Sequence, residues 1–200
     1  MPLELFLALV GFAFVTSATP GPNTMMLLAS GVNFGFKRTV PHILGVSCGF
    51  GLMLLIVGLG LGAAILASPA VATSLKIASI LYMLWLAWRI ANAGSPDAKD
   101  TRGRPMSFIE AALFQWVNPK AWAIALAGVA SYTVPASYGL SLAIFVAVFI
   151  LLNMPIAAAW TGFGVGLRSF LADPVRLRIF NVTMALLLVA SLWPLAKEWL

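Results

Sequence analysis

Charge is what this chain of 200 residues has least of. Only 9% of the residues are charged, where a soluble domain carries about 25%. Twelve lysines and arginines with six acids are too few to coat a water-soluble globule of this size. The single cysteine, Cys48, excludes an internal disulfide and the disulfide-stapled secreted scaffolds. The single histidine, His42, excludes a metal cluster built from histidines. What fills the chain is apolar: 62% of residues are hydrophobic and the mean hydropathy is +1.00. Soluble and disordered classes are excluded, and a polytopic membrane protein remains.

The net charge of +6 does not point to nucleic acid. The basic residues lie in short connections between apolar runs, where positive charge sets membrane orientation. A bilayer core of roughly 30 Å needs about 20 apolar helical residues. Six stretches qualify: Leu3–Leu28, Ile43–Leu66, Leu75–Ala93, Phe108–Ala130, Tyr138–Leu167 and Ile179–Lys197. Gly35-Phe36-Lys37-Arg38, Ser68-Pro69, a polar linker over residues 95–106, Pro135 and Asp173-Pro174 separate them. Lys37, Arg38, Arg89, Lys99, Arg102, Arg104, Arg168, Arg176 and Arg178 fall on one side, and Lys76 and Lys197 on the other. The basic side is cytoplasmic by the positive-inside rule, so both termini are expected outside. A cleaved signal peptide is the alternative for the first span. It fits poorly, because no Lys or Arg precedes the apolar run.

The two halves resemble each other. Thr19-Pro20-Gly21-Pro22-Asn23 in span one is matched by Val117-Asn118-Pro119-Lys120 in span four. The glycines around Gly58 and Gly162, and the basic starts Lys76-Ile77 and Arg178-Ile179, follow in the same order. An odd number of spans per unit makes the second unit enter the membrane from the opposite side. The expected fold is therefore an all-α membrane protein of six transmembrane helices, built as two inverted three-helix repeats with helices 1 and 4 interrupted. It forms one domain over residues 1–200: repeat one 1–94, cytoplasmic linker 95–106 and repeat two 107–200. A duplicated bundle with no transport role is the bland alternative.

Two prolines around a glycine cannot be regular helix. Backbone freed in a membrane is tolerated only where protein or a water-filled cavity satisfies it. The breaks at Pro20-Gly21-Pro22 and Asn118-Pro119 are thus expected to face the bundle interior, although single prolines often make mere kinks. Lys120 falls near the middle of span four, where a lysine costs about 2.5–3.5 kcal/mol on insertion scales. No acid lies at its depth: Glu4 and Glu198 are near outer ends, Asp97, Asp100 and Asp173 are in loops, and Glu110 opens span four. Lys120 is the candidate ligand for the α-carboxylate of an amino acid. The alternative is a structural lysine that caps carbonyls freed by the breaks. If transport is proton-coupled, Lys120 is also a candidate carrier.

Thr16, Ser17, Thr19, Asn23, Gln115, Asn118, Asn153 and Thr161 are the other polar residues of the spans. Asn23 and Asn118 flank the breaks and suit a zwitterion. Asn153 precedes Met154-Pro155, a third proline interruption, and is a candidate to line the same path. Gly45-x-x-x-Gly49, Gly58-x-x-x-Gly62 and Gly162-x-x-x-Gly166 read as close helix packing within the chain, with a homodimer interface as the alternative. Trp85, Trp88, Trp193 and Trp199 suit interface belts. Trp116 and Trp122 either wall the cavity or pack. His42 and Cys48 read as structural.

Thr19-Pro20-Gly21-Pro22-Asn23 together with Asn118-Pro119-Lys120 resembles the LysE/RhtB family of bacterial amino-acid exporters. The resemblance extends over the whole chain, including Gly35-Phe36-Lys37 and Tyr82 to Arg89. Tyr82-Met83-Leu84-Trp85-Leu86-Ala87-Trp88-Arg89 and Phe114-Gln115-Trp116-Val117-Asn118 are most similar to its cysteine/O-acetylserine branch. Pro41-His42 departs from the family's usual small residues. The resemblance implies an inner-membrane exporter of small amino acids or derivatives, driven by protons and needing no cofactor. It implies Pro20, Gly21, Pro22, Asn23, Asn118, Pro119 and Lys120 as site residues, to which the reading above adds Thr19 and Asn153. A membrane-embedded enzyme lacks a catalytic constellation. A channel or scaffold subunit without carrier activity is the competing function.

Overall fold

The computed structural model describes residues 1–93 and 104–193, and all the regular structure among them is helical. Helix α1 (Leu3–Ala18) ends at Thr19, and α2 (Pro22–Phe34) restarts at an angle of 52° to it. Pro22 takes the first position of α2, where its missing N–H is not needed. Gly35 then turns the chain at φ 80°, a value open to glycine and strained for other residues. Helix α3 (Phe36–Gly58) begins on the next residue.

The connection expected over Gly35 to Arg38 is therefore one residue long. Lys37 and Arg38 are exposed on the first turn of α3, and Pro41 and His42 lie inside the helix. The expected span Ile43–Leu66 is corrected in the same way. It begins at Phe36, stops at Gly58, turns at Gly60 (φ 93°) and continues as the short α4 (Leu61–Leu66). Hydropathy alone misses helix that carries charge on an exposed turn.

Helix α5 (Pro69–Ala91) starts at Pro69 rather than Leu75. The segment expected as span four comprises α6 (Phe108–Phe114), a 3₁₀ turn at Gln115–Val117 and α7 (Pro119–Tyr132). Ser107 and Glu110 cap α6 reciprocally, and both Glu110 oxygens accept from Arg104 at 2.6 Å. Those hydrogen bonds, then the carboxylate charge, hold the Arg104 guanidinium above its ordinary pKa. Helix α8 (Tyr138–Gly166) runs through Pro155. The third interruption does not occur, because a lone proline removes one helical hydrogen bond while the turns on either side persist. Helix α9 (Pro174–Ala190) starts where the Asp173 side chain accepts from the Val175 and Arg176 N–H groups at 2.9 Å.

Among the described residues three helices are long and apolar enough to cross a membrane: α3, α5 and α8 with the 3₁₀ turn before it. The bent pair α1 and α2 passes the same test when taken as one broken span. The chain is thus a multi-pass membrane protein. Linker residues 94–103 and Lys197, Glu198 and Trp199 lie outside the described residues.

Helix α8 packs on α1, α2 and α3, α3 on α6 and α7, and α5 on α9. Two crossings bring backbones into contact. A Cβ on Gly31 would strike the Thr161 carbonyl, and one on Gly164 would strike that of Leu28. Gly45 and Gly49 meet Phe108 and Ala112 in the same fashion. Gly162 and Gly166, by contrast, have nothing within 4 Å, so the last expected packing motif gives way to Gly164. Phe50, Phe145 and Phe149 form edge-to-face pairs in the largest core cluster. Cys48 is exposed, not buried. It shares with Leu44, Leu52 and Leu55 the outward stripe of α3, the face such a helix turns to lipid.

Candidate functional site

The two breaks meet. Pro20 and Pro22 supply no N–H, so the backbone groups left between them need partners from elsewhere. The Gly21 N–H donates to Thr24 Oγ1 at 2.8 Å, and that hydroxyl donates back to the Gly21 carbonyl at 2.9 Å. The Thr19 carbonyl accepts from Lys120 Nζ at 2.8 Å, and Thr19 Oγ1 lies 3.0 Å from the same nitrogen. Lys120 thus reaches across from the second break to cap the first. An ammonium has three donors; these contacts use two.

The second break, between α6 and α7, is closed in a similar way. Asn118 Oδ1 accepts from the Lys120 N–H at 3.1 Å and so caps α7. Pro119 takes the first position of α7, as Pro22 does in α2. Trp122 Nε1 donates to the freed Trp116 carbonyl at 2.8 Å, with the two rings 5.9 Å apart and nearly perpendicular. The two tryptophans therefore pack at the break, and neither lines the cavity.

Asn23 and Gln115 tie the breaks together by exchanging amide hydrogen bonds. Gln115 is fully buried and also donates to the Ala111 carbonyl at 2.9 Å. Gly21 leaves room for the lysine: a Cβ there would stand 2.9 Å from Lys120 Cδ.

A cavity of about 470 Å³, open mouth included, lies against this junction. Its polar lining includes Thr16, Ser17, Asn23, Asn118, Lys120 and Asn153, and Phe50 and Ile124 contribute apolar wall. Asn153 Oδ1 accepts from Ser47 at 3.2 Å, and Asn153 Nδ2 is 3.5 Å from Ser17 Oγ. Of the residues expected at the site, Gly21, Asn23, Asn118, Lys120 and Asn153 line this space. Thr19 touches it through Lys120. Pro20, Pro22 and Pro119 shape the backbone and are not in the lining. Thr161 lies apart, at the Gly31 crossing, and bonds its own helix. Thr24 and Ser47 were not legible as site residues. The signal for Thr24 is its place three residues after the helix cap Gly21, where a hydroxyl can serve the cap.

The N-terminal ends of α2 and α7, each with positive dipole character, begin at the two breaks beside the lysine. Together these features favour a carboxylate. Among the described residues no three His, Cys, Asp or Glu side chains gather to hold a metal.

Paired broken helices beside a polar cavity in an apolar bundle are a feature that membrane carriers use. The chain belongs to the LysE type translocator family, which it matches over residues 14–191. It is a transporter, not an enzyme. Over 141 residues it is 32% identical to the cysteine/O-acetylserine efflux protein of Escherichia coli K12, covering 70% of this chain and 71% of that protein. The proteins of the same name from Shigella sonnei and Shigella flexneri are similar to the same extent. No solved structure matches the chain.

Proposed function

We propose that this protein exports small amino acids or derivatives, O-acetylserine and cysteine among them, across the bacterial inner membrane in exchange for protons. The observation that carries this reading is Lys120 at the junction of the two breaks, with one donor uncommitted and an open polar cavity beside it. The carboxylate is taken by Lys120 and the N-terminus of α7, and the substrate's polar groups by Asn23, Asn118 and Asn153. In the conformation described, Thr19 holds the lysine; substrate carboxylate and Thr19 compete for it.

The reading includes six spans in two inverted repeats, with both termini outside. It is supported by the way contacts exchange between halves. Both pieces of the first broken span pack on α8, and both pieces of the second pack on α3. Helices α3 and α8, and α5 and α9, then pair as repeat mates would. Rocking one half against the other would expose the junction to each side in turn.

Counterflow in proteoliposomes tests the function. Vesicles loaded with unlabelled O-acetylserine, cysteine or other amino acids should take up the labelled compound saturably. An imposed pH gradient should drive accumulation of the accepted substrate. If no amino acid exchanges, the channel or scaffold reading replaces this one.

A further inference from the structure

A second cavity lies between α2, α3, the end of α5 and the segment leading into α6. It spans about 570 Å³, open mouth included, and its polar lining is Ser30, Asn33, His42, Arg89 and Arg104. Four of these side chains have partners. Ser30 shares a 3.0 Å hydrogen bond with Thr39, and Asn33 exchanges amide bonds with Asn181. Arg104 is held by Glu110, and Arg89 donates to the Arg104 carbonyl while stacking on Trp85. His42 differs. It is 1% exposed, and neither ring nitrogen has a hydrogen-bond partner among the described residues.

An unsatisfied buried polar group costs about 1–3 kcal/mol. Packing alone gives no return for that, since an apolar side chain would fill the same space without it. His42 lines a polar cavity with both ring nitrogens buried and uncommitted, so its ring can take up a proton without giving up a partner. No fixed partner has to be broken when the charge changes.

The ionisable groups on the elements around His42 are few. Glu110 is on α6 with Arg104 just before it, and Lys76, Tyr82 and Arg89 are on α5, Lys76 near its start. Helix α2 has none, α7 has Lys120 at the other cavity and Tyr132 near its end, and α8 has only Tyr138, bonded to Gly58 at the far end of α3. On α3 itself Lys37 and Arg38 are exposed on the first turn.

The position also links the two cavities. Val46 lines the first and His42 the second, one turn apart on α3, about 6 Å at 1.5 Å per residue. Leu27 and Met26 divide in the same way on α2. A shift of α3 against α2 alters both spaces at once.

We propose that His42 is the proton-binding group of the transport cycle, coupled through α3 to the substrate cavity. This rests on the exporter reading given above. One proton from the outer side adds to a ring nitrogen and makes the imidazolium. The same proton leaves to the cytoplasm when α3 returns, and no other bond forms or breaks. Lys120 then stays charged throughout and carries no proton across the membrane.

The test compares wild type and His42→Gln in proteoliposomes with labelled O-acetylserine. Counterflow at equal pH reads exchange, and accumulation under a pH gradient reads coupling. The variant is expected to exchange at a reduced rate and to lose accumulation down to the equilibrium level. Accumulation like that of wild type overturns the proposal, and so does an equal fractional loss of both activities. Wild type that exchanges but ignores the pH gradient also overturns it, while leaving the exporter reading intact. Wild type without exchange removes the exporter reading itself. A second measurement needs no variant. Because the chain has one histidine, ¹⁵N-histidine labelling of untagged protein in nanodiscs reports His42 alone. Added O-acetylserine is expected to change its protonated fraction. A ring that keeps one protonation state from about pH 5 to about pH 8, with and without substrate, overturns the proposal.

Discussion

Asn23 and Gln115, separated by 92 positions, exchange two amide hydrogen bonds of 2.8 and 3.2 Å. The pair joins the first residue after one break to the turn before the other. Truncating either partner leaves a buried amide short of a partner, which costs about 1–3 kcal/mol. Asn23→Ala and Gln115→Ala should each lower the thermal unfolding midpoint in detergent. The double variant should be less destabilised than the sum of the two, with a coupling of about 0.5–3 kcal/mol. Strict additivity would mean that the pair does not hold the breaks together.

Lys120 has two duties in this geometry, capping Thr19 and offering charge to the cavity. Separate variants divide them. Lys120→Ala removes both and should reduce apparent O-acetylserine affinity at least about tenfold, the equivalent of one charge-assisted hydrogen bond. Lys120→Gln can still donate to the Thr19 carbonyl. It should recover thermal stability without recovering affinity. Counterflow as a function of substrate concentration, beside an unfolding curve, separates the two. If Lys120→Gln restores transport as well as stability, the capping role is sufficient and the carboxylate reading falls.

Much of this site was legible in the sequence because it is made by residues with strong local consequences. Pro-Gly-Pro and Asn-Pro break helices anywhere, and a lysine without an acid at its depth demands an explanation. What escaped depends on how a helix is rotated. Spacing alone offered Gly162 and Gly166 as a packing face, while Gly164 makes the contact. Cys48 looked like another small buried residue and lies on the outward stripe. Ser47, one residue earlier, turns inward to Asn153. His42 read as structural because a sequence does not show whether a buried ring finds partners. The start of α3 was missed because Lys37 and Arg38 lower hydropathy without stopping a helix.

The crossing of α2 and α8 gives a test with a built-in control. Gly31→Ala and Gly164→Ala set a methyl group against backbone carbonyls that cannot rotate aside. Each should destabilise by about 1–3 kcal/mol, as overpacking does. Gly162→Ala meets open space. It should be neutral, or stabilising by up to about 1 kcal/mol from helix propensity. Thermal unfolding of the three variants in one detergent decides. Equal effects at Gly162 and Gly164 would contradict the helix rotation described for α8.

Gly21 tests the junction itself. Its backbone is extended, with φ −178°, so alanine is conformationally acceptable there. The obstacle is Lys120, whose Cδ and Nζ would lie 2.9 and 3.2 Å from the new methyl carbon. A lysine side chain can swing away, whereas the backbone of the break cannot. Gly21→Ala should therefore fold, keep most of its thermal stability and lose substrate affinity, because the ammonium is displaced. Combining it with Lys120→Ala provides the check. With the lysine already truncated, the added methyl meets little, so the double variant should transport no worse than Lys120→Ala alone. A further loss in the double variant would show that Gly21 matters through the backbone of the break and not through the lysine beside it.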